Sequence, residues 1–316
     1  MPKKNIKDQF LSTLSLVCRI PIPFSFTFNV KRLDLWLPLT SLFQSVLFGL
    51  SLALFFLLFR SLELAVLSAF AVYYGVFNLF HFDGLLDTAD AFLGAFEREK
   101  RQEILKDPRL GVYAVFAGII YMAAKILVLL SILNLLNLCS PYSFYSPYSP
   151  YSSYSLHAAL PFQSLKALSY RNVMGLYMLF LFPLAGKTGA ALIPGLFLPA
   201  RAEGLGALAK GSKAGFSLLG SGLSFLLYSL VCLGTFLGLP FGLPMSWDML
   251  RPISLDILLA LAIMVCSAVI VGLYIGRLYQ KGLGGYTGDS LGAAIELGEL
   301  LYLLILYVLM QRGMLF

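Results

Sequence analysis

Long charge-free stretches alternate with short polar ones along this chain. Apolar runs cover Leu35 to Phe59, Leu64 to Phe80, Leu110 to Asn137 (with one lysine), Ala214 to Trp247, Ile257 to Gly276 and Leu300 to Gln311. A bilayer core takes roughly 20 apolar residues per helix, so these runs predict transmembrane helices. The expected fold class is all-α: a polytopic integral membrane helical bundle of about seven spans, within a range of six to eight, forming one membrane-embedded domain over 1–316.

The polar segments set the path. Residues 1–33 carry Lys3, Lys4, Lys7, Arg19, Lys31 and Arg32 around Phe10, Leu11, Leu14 and Val17 at helical spacing. That pattern predicts an amphipathic interfacial segment, ended by Pro21 and Pro23, with no cleavable signal before the first span. The positive-inside rule puts this end in the cytoplasm. The first span then leads out, Arg60 to Glu63 form an outer turn, and the second span returns near residue 81. A charged loop, Glu97 to Arg109, reads as cytoplasmic and largely solvated. The third span carries Lys125, which needs a partner at membrane depth; a structural ion pair is expected.

Residues 139–164 form a Ser/Pro/Tyr low-complexity insert without charge, placed in an outer loop. Ser169 to Pro199 is apolar but broken by Gly186-Lys187-Thr188-Gly189, Pro194 and Pro199. Irregular backbone of this kind is tolerated where it lines a cavity or is buried in protein. The cations of Arg201 to Lys210 mark a return to the inner face. Two further spans, near 215–239 and 257–276, and a last one that begins at Glu296 and Glu299 give seven crossings, with the C-terminus outside.

Composition narrows the class. With 59% hydrophobic and 12% charged residues and a mean hydropathy of +0.83, no aqueous domain of useful size is left over. Any chemistry must be built from helix ends and loops. The net charge of +7 is an orientation signal, and a nucleic-acid partner is not expected. Cys18, Cys139, Cys232 and Cys266 lack metal or disulfide spacing and read as small apolar side chains.

Three polar clusters carry candidate chemistry. In His81-Phe-Asp83-Gly-Leu-Leu-Asp87-Thr-Ala-Asp90, the carboxylates at i, i+4 and i+7 share one helical face. Stacked carboxylates repel, so such a face suits a hard cation such as Mg²⁺ that shares its shell with substrate phosphates. A solvated helix end is the plain alternative. The second cluster is the charged run to Arg109. The third is Gly284-Gly285-Tyr-Thr287-Gly288-Asp289, a glycine-rich turn opening a helix that suits a phosphate, followed by Glu296 and Glu299 on the Asp289 face. All three clusters converge on the cytoplasmic side.

These residues carry a resemblance. His81 to Asp90 resembles the HLDGLADTADG motif of the cobalamin synthase family, the adenosylcobinamide-GDP ribazoletransferases. Arg101-Gln-Glu-Ile-Leu-Lys106-Asp107-Pro-Arg109-Leu-Gly111 is similar to the family's following basic run. Pro199-Ala-Arg201-Ala-Glu-Gly204-Leu-Gly206 and Gly284 to Glu299 are similar to its two later motifs, and Cys18-Arg19-Ile-Pro21-Ile-Pro23 to its opening one. Asn78 and Leu79 depart from a usual Gly-Gly, and Ala91 and Lys187 from a usual Gly and Arg.

The resemblance implies a membrane transferase that joins adenosylcobinamide-GDP to α-ribazole, or its 5′-phosphate, giving the cobalamin (5′-phosphate) and GMP with Mg²⁺. It implies a multi-pass protein of the cytoplasmic (inner) membrane with its site on the cytoplasmic face. Asp83, Asp87 and Asp90 would hold metal, and Asp289, Glu296 and Glu299 would complete the shell or act as base. His81 would be a base or a structural hydrogen-bonder. Lys106, Asp107, Arg109, Arg201 and the Gly284, Gly285, Thr287, Gly288 turn would bind substrate phosphates. Besides small molecules and the lipid bilayer, a second copy of the chain or other cobalamin-assembly enzymes are compatible partners. Two other readings are weighed. A CDP-alcohol-type phosphotransferase would show Ala-Arg where Asp87-Thr88 stands, and an ion-coupled transporter would show inverted repeats.

Overall fold

The computed structural model describes residues 6–136, 170–238 and 247–315, and the Ser/Pro/Tyr insert lies outside them. The chain runs as helices α1 (Ile6–Val17), α2 (Leu33–Phe59), α3 (Leu62–Tyr73), a π-helical turn (Tyr74–Asn78), α4 (Leu79–Gly94) and the short α5 (Arg98–Ile104). It continues with α6 (Val112–Leu135), α7 (Tyr170–Leu179), α8 (Phe182–Leu196), α9 (Leu205–Leu208), α10 (Ala214–Gly238), α11 (Trp247–Leu283) and α12 (Gly288–Gln311). Among the described residues, six stretches are long and apolar enough to cross a membrane, and α3 with α4 makes a seventh if the pair, bent by 90°, is one span. The all-helical membrane bundle expected from the hydropathy pattern is therefore what forms.

Local signals place the ends. At the turn between α2 and α3, Arg60 takes a left-handed conformation (φ 54°) and returns its N–H to the Phe56 carbonyl, stopping α2. Ser61 then caps α3 by accepting from Leu64 N–H at 3.3 Å. The return span does not continue straight to residue 81: the π-turn and the bend after it swing α4, with its carboxylates, across one end of the bundle.

The core is built on α8 and α12. The α7–α8 stretch is 89% buried, against 28% for α2 and α6, so it sits among other helices while those two face outward. Small residues allow the approach: a Cβ on Gly186 would lie 2.4 Å from the Ile295 carbonyl oxygen, and one on Gly298 would lie 2.9 Å from the Gly186 Cα. α12 also packs on α4, α6 and α11.

At the centre sits an ion-pair network. Lys125 Nζ of α6 lies 2.5 Å from one Glu299 oxygen and 3.2 Å from a Glu296 oxygen, both on α12. Tyr73 donates to Glu299 at 2.7 Å, Tyr74 to Glu296 at 2.7 Å, and Tyr121 to Glu296 at 2.6 Å. Lys125 thus makes the structural pair expected of it. Removing one partner from a buried pair costs about 3–5 kcal/mol, because the other charge stays buried alone. Lys125→Met should lower the thermal unfolding midpoint in detergent sharply, and a Lys125→Met/Glu299→Gln double variant should recover part of the loss. Equal midpoints for wild type and Lys125→Met would show that the network does not hold the bundle.

Candidate functional site

Asp83, Asp87 and Asp90 share a face of α4 as their spacing predicts, but their surroundings differ. Asp83 is exposed, Asp87 half-buried and Asp90 buried. Asp90 accepts from Gly111 N–H at 2.6 Å and Ala114 N–H at 2.8 Å, so it caps the start of α6 from the neighbouring helix. Gly111 has no room for a side chain there, since a Cβ would meet the Asp90 oxygens at 2.6 and 2.7 Å.

The fourth carboxylate of the site comes from α12. A Cβ on Gly84 would lie 2.8 Å from the Asp289 carbonyl oxygen, and one on Gly292 would lie 2.7 Å from that of His81. Two glycines therefore let the backbones of α4 and α12 touch. Asp289 arrives beside the α4 stripe, within electrostatic reach of Asp83 and Asp87.

The glycine-rich turn before α12 is held by a short parallel pairing. Tyr286 N–H donates to the Leu198 carbonyl at 3.0 Å, and Ala200 N–H to the Tyr286 carbonyl at 2.9 Å. Gly285 passes so close that a Cβ would sit 2.4 Å from the Leu198 oxygen. This pairing brings Arg201 within electrostatic reach of Asp289. Between them lies a cavity of ≈ 200 Å³ lined by Arg201, Gly206, Thr287, Gly288 and Asp289. Gly284 supplies the left-handed turn (φ 82°), with the Arg98 guanidinium packed against it. Thr287 and Ser290 form a reciprocal capping box, so two of the turn's N–H groups are already satisfied within the chain.

Other candidates lie elsewhere. Glu296 and Glu299 belong to the Lys125 network, two and three turns deeper on α12 than Asp289, or about 10 and 15 Å at 1.5 Å per residue. His81 is 4% exposed on the seam with α12, on the opposite side of α4 from the carboxylate stripe. The structure does not bring these three together with Asp83, Asp87 and Asp289. Lys106, Asp107 and Arg109 lie on the surface loop after α5. Arg109 forks onto Asp107 at 2.7 and 2.9 Å, and these hydrogen bonds hold the Asp107 carboxyl down to about 2, so the pair stays charged at working pH.

Reading the residues one helix at a time missed Tyr73, Tyr74 and Tyr121, which the buried glutamates bind, and the pairing of Thr88 with Tyr279 at 2.7 Å. It also took Arg98 for a solvated side chain. Only the presence of Lys125 at membrane depth signalled that polar partners had to converge there.

Among the described residues, no three acidic, histidine or cysteine side chains converge into a cage for a metal ion. The donor set nevertheless suits Mg²⁺, which takes one or two carboxylates, keeps waters and shares substrate phosphates. Asp83, Asp87 and Asp289 offer hard oxygen donors beside a cavity that holds Arg201.

Fold and site together define a polytopic helical membrane protein with an acidic face at one end, built where two glycine-matched helices cross. The cobalamin-5-phosphate synthase family model matches residues 9–147 and 151–307, and the chain belongs to that family. A relative from Thermosipho melanesiensis, an adenosylcobinamide-GDP ribazoletransferase, is 39% identical over 116 residues, covering 36% of this chain. The match spans about half, 47%, of that relative's length. No solved structure matches.

The two uses of carboxylates on α4 are separable by stability. Asp90→Ala removes a helix cap and should destabilise the protein by about 0.5–2 kcal/mol, whereas Asp83→Ala relieves repulsion and should leave thermal unfolding in detergent unchanged or raised. Equal losses for both would contradict the capping role.

Proposed function

We propose that this protein is a Mg²⁺-dependent phosphotransferase of the cytoplasmic membrane, with its acidic face on the cytoplasmic side. It joins adenosylcobinamide-GDP to α-ribazole, or to α-ribazole 5′-phosphate, giving adenosylcobalamin (or its 5′-phosphate) and GMP, a late step of cobalamin assembly. One observation carries the reading most directly: the Gly84–Asp289 contact sets a carboxylate of α12 beside Asp83 and Asp87, next to a cavity that holds Arg201.

In this reading the chain's own residues position and neutralise, which is most of what phosphoryl transfer needs. Asp83 and Asp87, with Asp289, would hold Mg²⁺, which when bound would offset and polarise the charge of the diphosphate. Arg201, fixed by the 198–200 pairing with Tyr286, binds the phosphate that departs with GMP. Lys106 and Arg109, on the loop after α5, add positive charge for the substrate phosphates, and Asp107 steadies Arg109. A carboxylate of the face accepts the proton of the attacking 3′-hydroxyl. His81, Glu296 and Glu299 act from inside the bundle by fixing α12 against α4 and α6.

The test uses purified protein in liposomes with both substrates, with and without Mg²⁺, following GMP release and cobalamin product. Asp83→Asn and Asp87→Asn are each expected to lower kcat/KM by roughly 100-fold or more, the scale of losing one electrostatic stabiliser of a transition state. Full Mg²⁺-dependent turnover in both variants would remove the metal assignment. Turnover of a CDP-alcohol with a lipid acceptor in place of these substrates would overturn the reaction.

A further inference from the structure

The Cys18-Arg19-Ile-Pro21-Ile-Pro23 segment has no part in the site described so far. It is nonetheless fastened to it: Arg19 N–H donates to the Val76 carbonyl at 2.8 Å, pinning the chain after α1 against the π-turn that leads into α4. Between the two lies an open groove of ≈ 630 Å³, lined by Leu16, Arg19, Phe77, Phe80, Phe82 and Asp83 among others. That volume falls in the range of small-molecule sites, whereas the cavity at Asp289, at ≈ 200 Å³, falls below it.

The geometry of α4 sets these two spaces on opposite flanks of the acidic face. From α4, positions 79, 80, 82, 83 and 86 line the groove, with 79, 82 and 86 on the flank away from α12, while 81, 84 and 88 form the seam with α12 and α11. Positions 83 and 87 fall between, at helical spacing. The carboxylate stripe therefore has the apolar groove on one side and, across the α12 seam, the Arg201 cavity on the other. Transfer at phosphorus needs the entering and leaving oxygens roughly in line, on opposite sides of the reacting atom.

We infer that the groove seats the incoming nucleoside, with its aromatic base among Phe77, Phe80 and Phe82, and that Arg19 reads the substituent on its 5′ oxygen. This rests on the reaction proposed above. The nucleoside's 3′ oxygen bonds to the phosphorus that carries the cobinamide side, and the bond from that phosphorus to the bridging oxygen breaks. GMP leaves with the electron pair toward Arg201, and the hydroxyl proton passes to a carboxylate of the face. Three observations favour this occupant over a lipid chain: a guanidinium at the rim, aromatic rings along the wall, and Asp83 shared with the acidic face.

The experiment compares α-ribazole with α-ribazole 5′-phosphate as acceptors for the full chain in liposomes, in wild type, Arg19→Gln, Arg19→Lys and Phe80→Ala. Arg19→Gln should lower the ratio of kcat/KM for the phosphorylated over the free acceptor about tenfold or more, the scale of a charge-assisted hydrogen bond, and Arg19→Lys should keep most of it. Phe80→Ala should raise KM for both acceptors with KM for adenosylcobinamide-GDP unmoved. Equal effects of Arg19→Gln on both acceptors would overturn the role of Arg19. A raised KM for adenosylcobinamide-GDP alone would give the groove to the corrinoid, and unchanged KM values throughout would give it to lipid; either result overturns the inference. Failure of the underlying reaction is distinct, because wild type would then release no GMP.

Discussion

The position of everything at the acidic end depends on the ion pair between Lys125 and the two glutamates of α12. A lone ammonium or carboxylate at that depth is very unfavourable, so the register in which Lys125 meets Glu296 and Glu299 is strongly selected over its neighbours. The quartet of Lys125, Lys187, Glu296 and Glu299 is formally neutral, and all four side chains are fully buried. Once that register is set, Asp289 is carried two turns further along α12 to the point where Gly84 lets the backbones touch. α6 is held twice: at its middle by this pair and at its start by the Asp90 carboxylate. Helices α4, α6 and α12 thus form a triangle with one charged tie in the dry interior and one at the wet end.

This explains why the acidic residues divide as they do. Asp83, Asp87 and Asp289 lie at least partly open to solvent, and carboxylates crowded there gain from a bound cation. Glu296 and Glu299 already have their cation, supplied by the protein, and tyrosine hydroxyls donate to both carboxylates as well. The same side-chain chemistry serves binding in one setting and architecture in the other, and depth along a single helix decides which.

Much of this was legible in the sequence, and the parts that were not share a cause. Apolar run length identified the spans, because the bilayer imposes it directly. The i, i+4, i+7 spacing correctly put three aspartates on one face of α4. Spacing says which residues share a face, though not which neighbour that face meets. Asp90 therefore looked equivalent to Asp83 until the start of α6, more than 20 residues on, claimed it as a cap. Glu296 and Glu299 were grouped with the site because they share the Asp289 face, yet each position along that face lies 1.5 Å further into the bundle, and His81, two residues from Asp83, is rotated to the opposite side of α4. The π-turn at Tyr74–Asn78 left no compositional mark, and it is what turns the second span into a broken one.

The bend decides where a membrane protein with almost no aqueous mass presents its acidic face. A straight return span would have presented its carboxylates along one outer wall of the bundle. Turning α4 by 90° lays the carboxylate stripe across the end instead, where loops from four separate places along the chain can border it. These are the segment after α1, the α5 loop, the Pro199–Gly206 loop and the turn before α12. Each is tied by backbone or by close glycine contact to a helix that the buried ion pair has already positioned. Loops of this kind need little mass of their own to be precise, because the rigid helices beneath them supply the order and water reaches only the face they enclose.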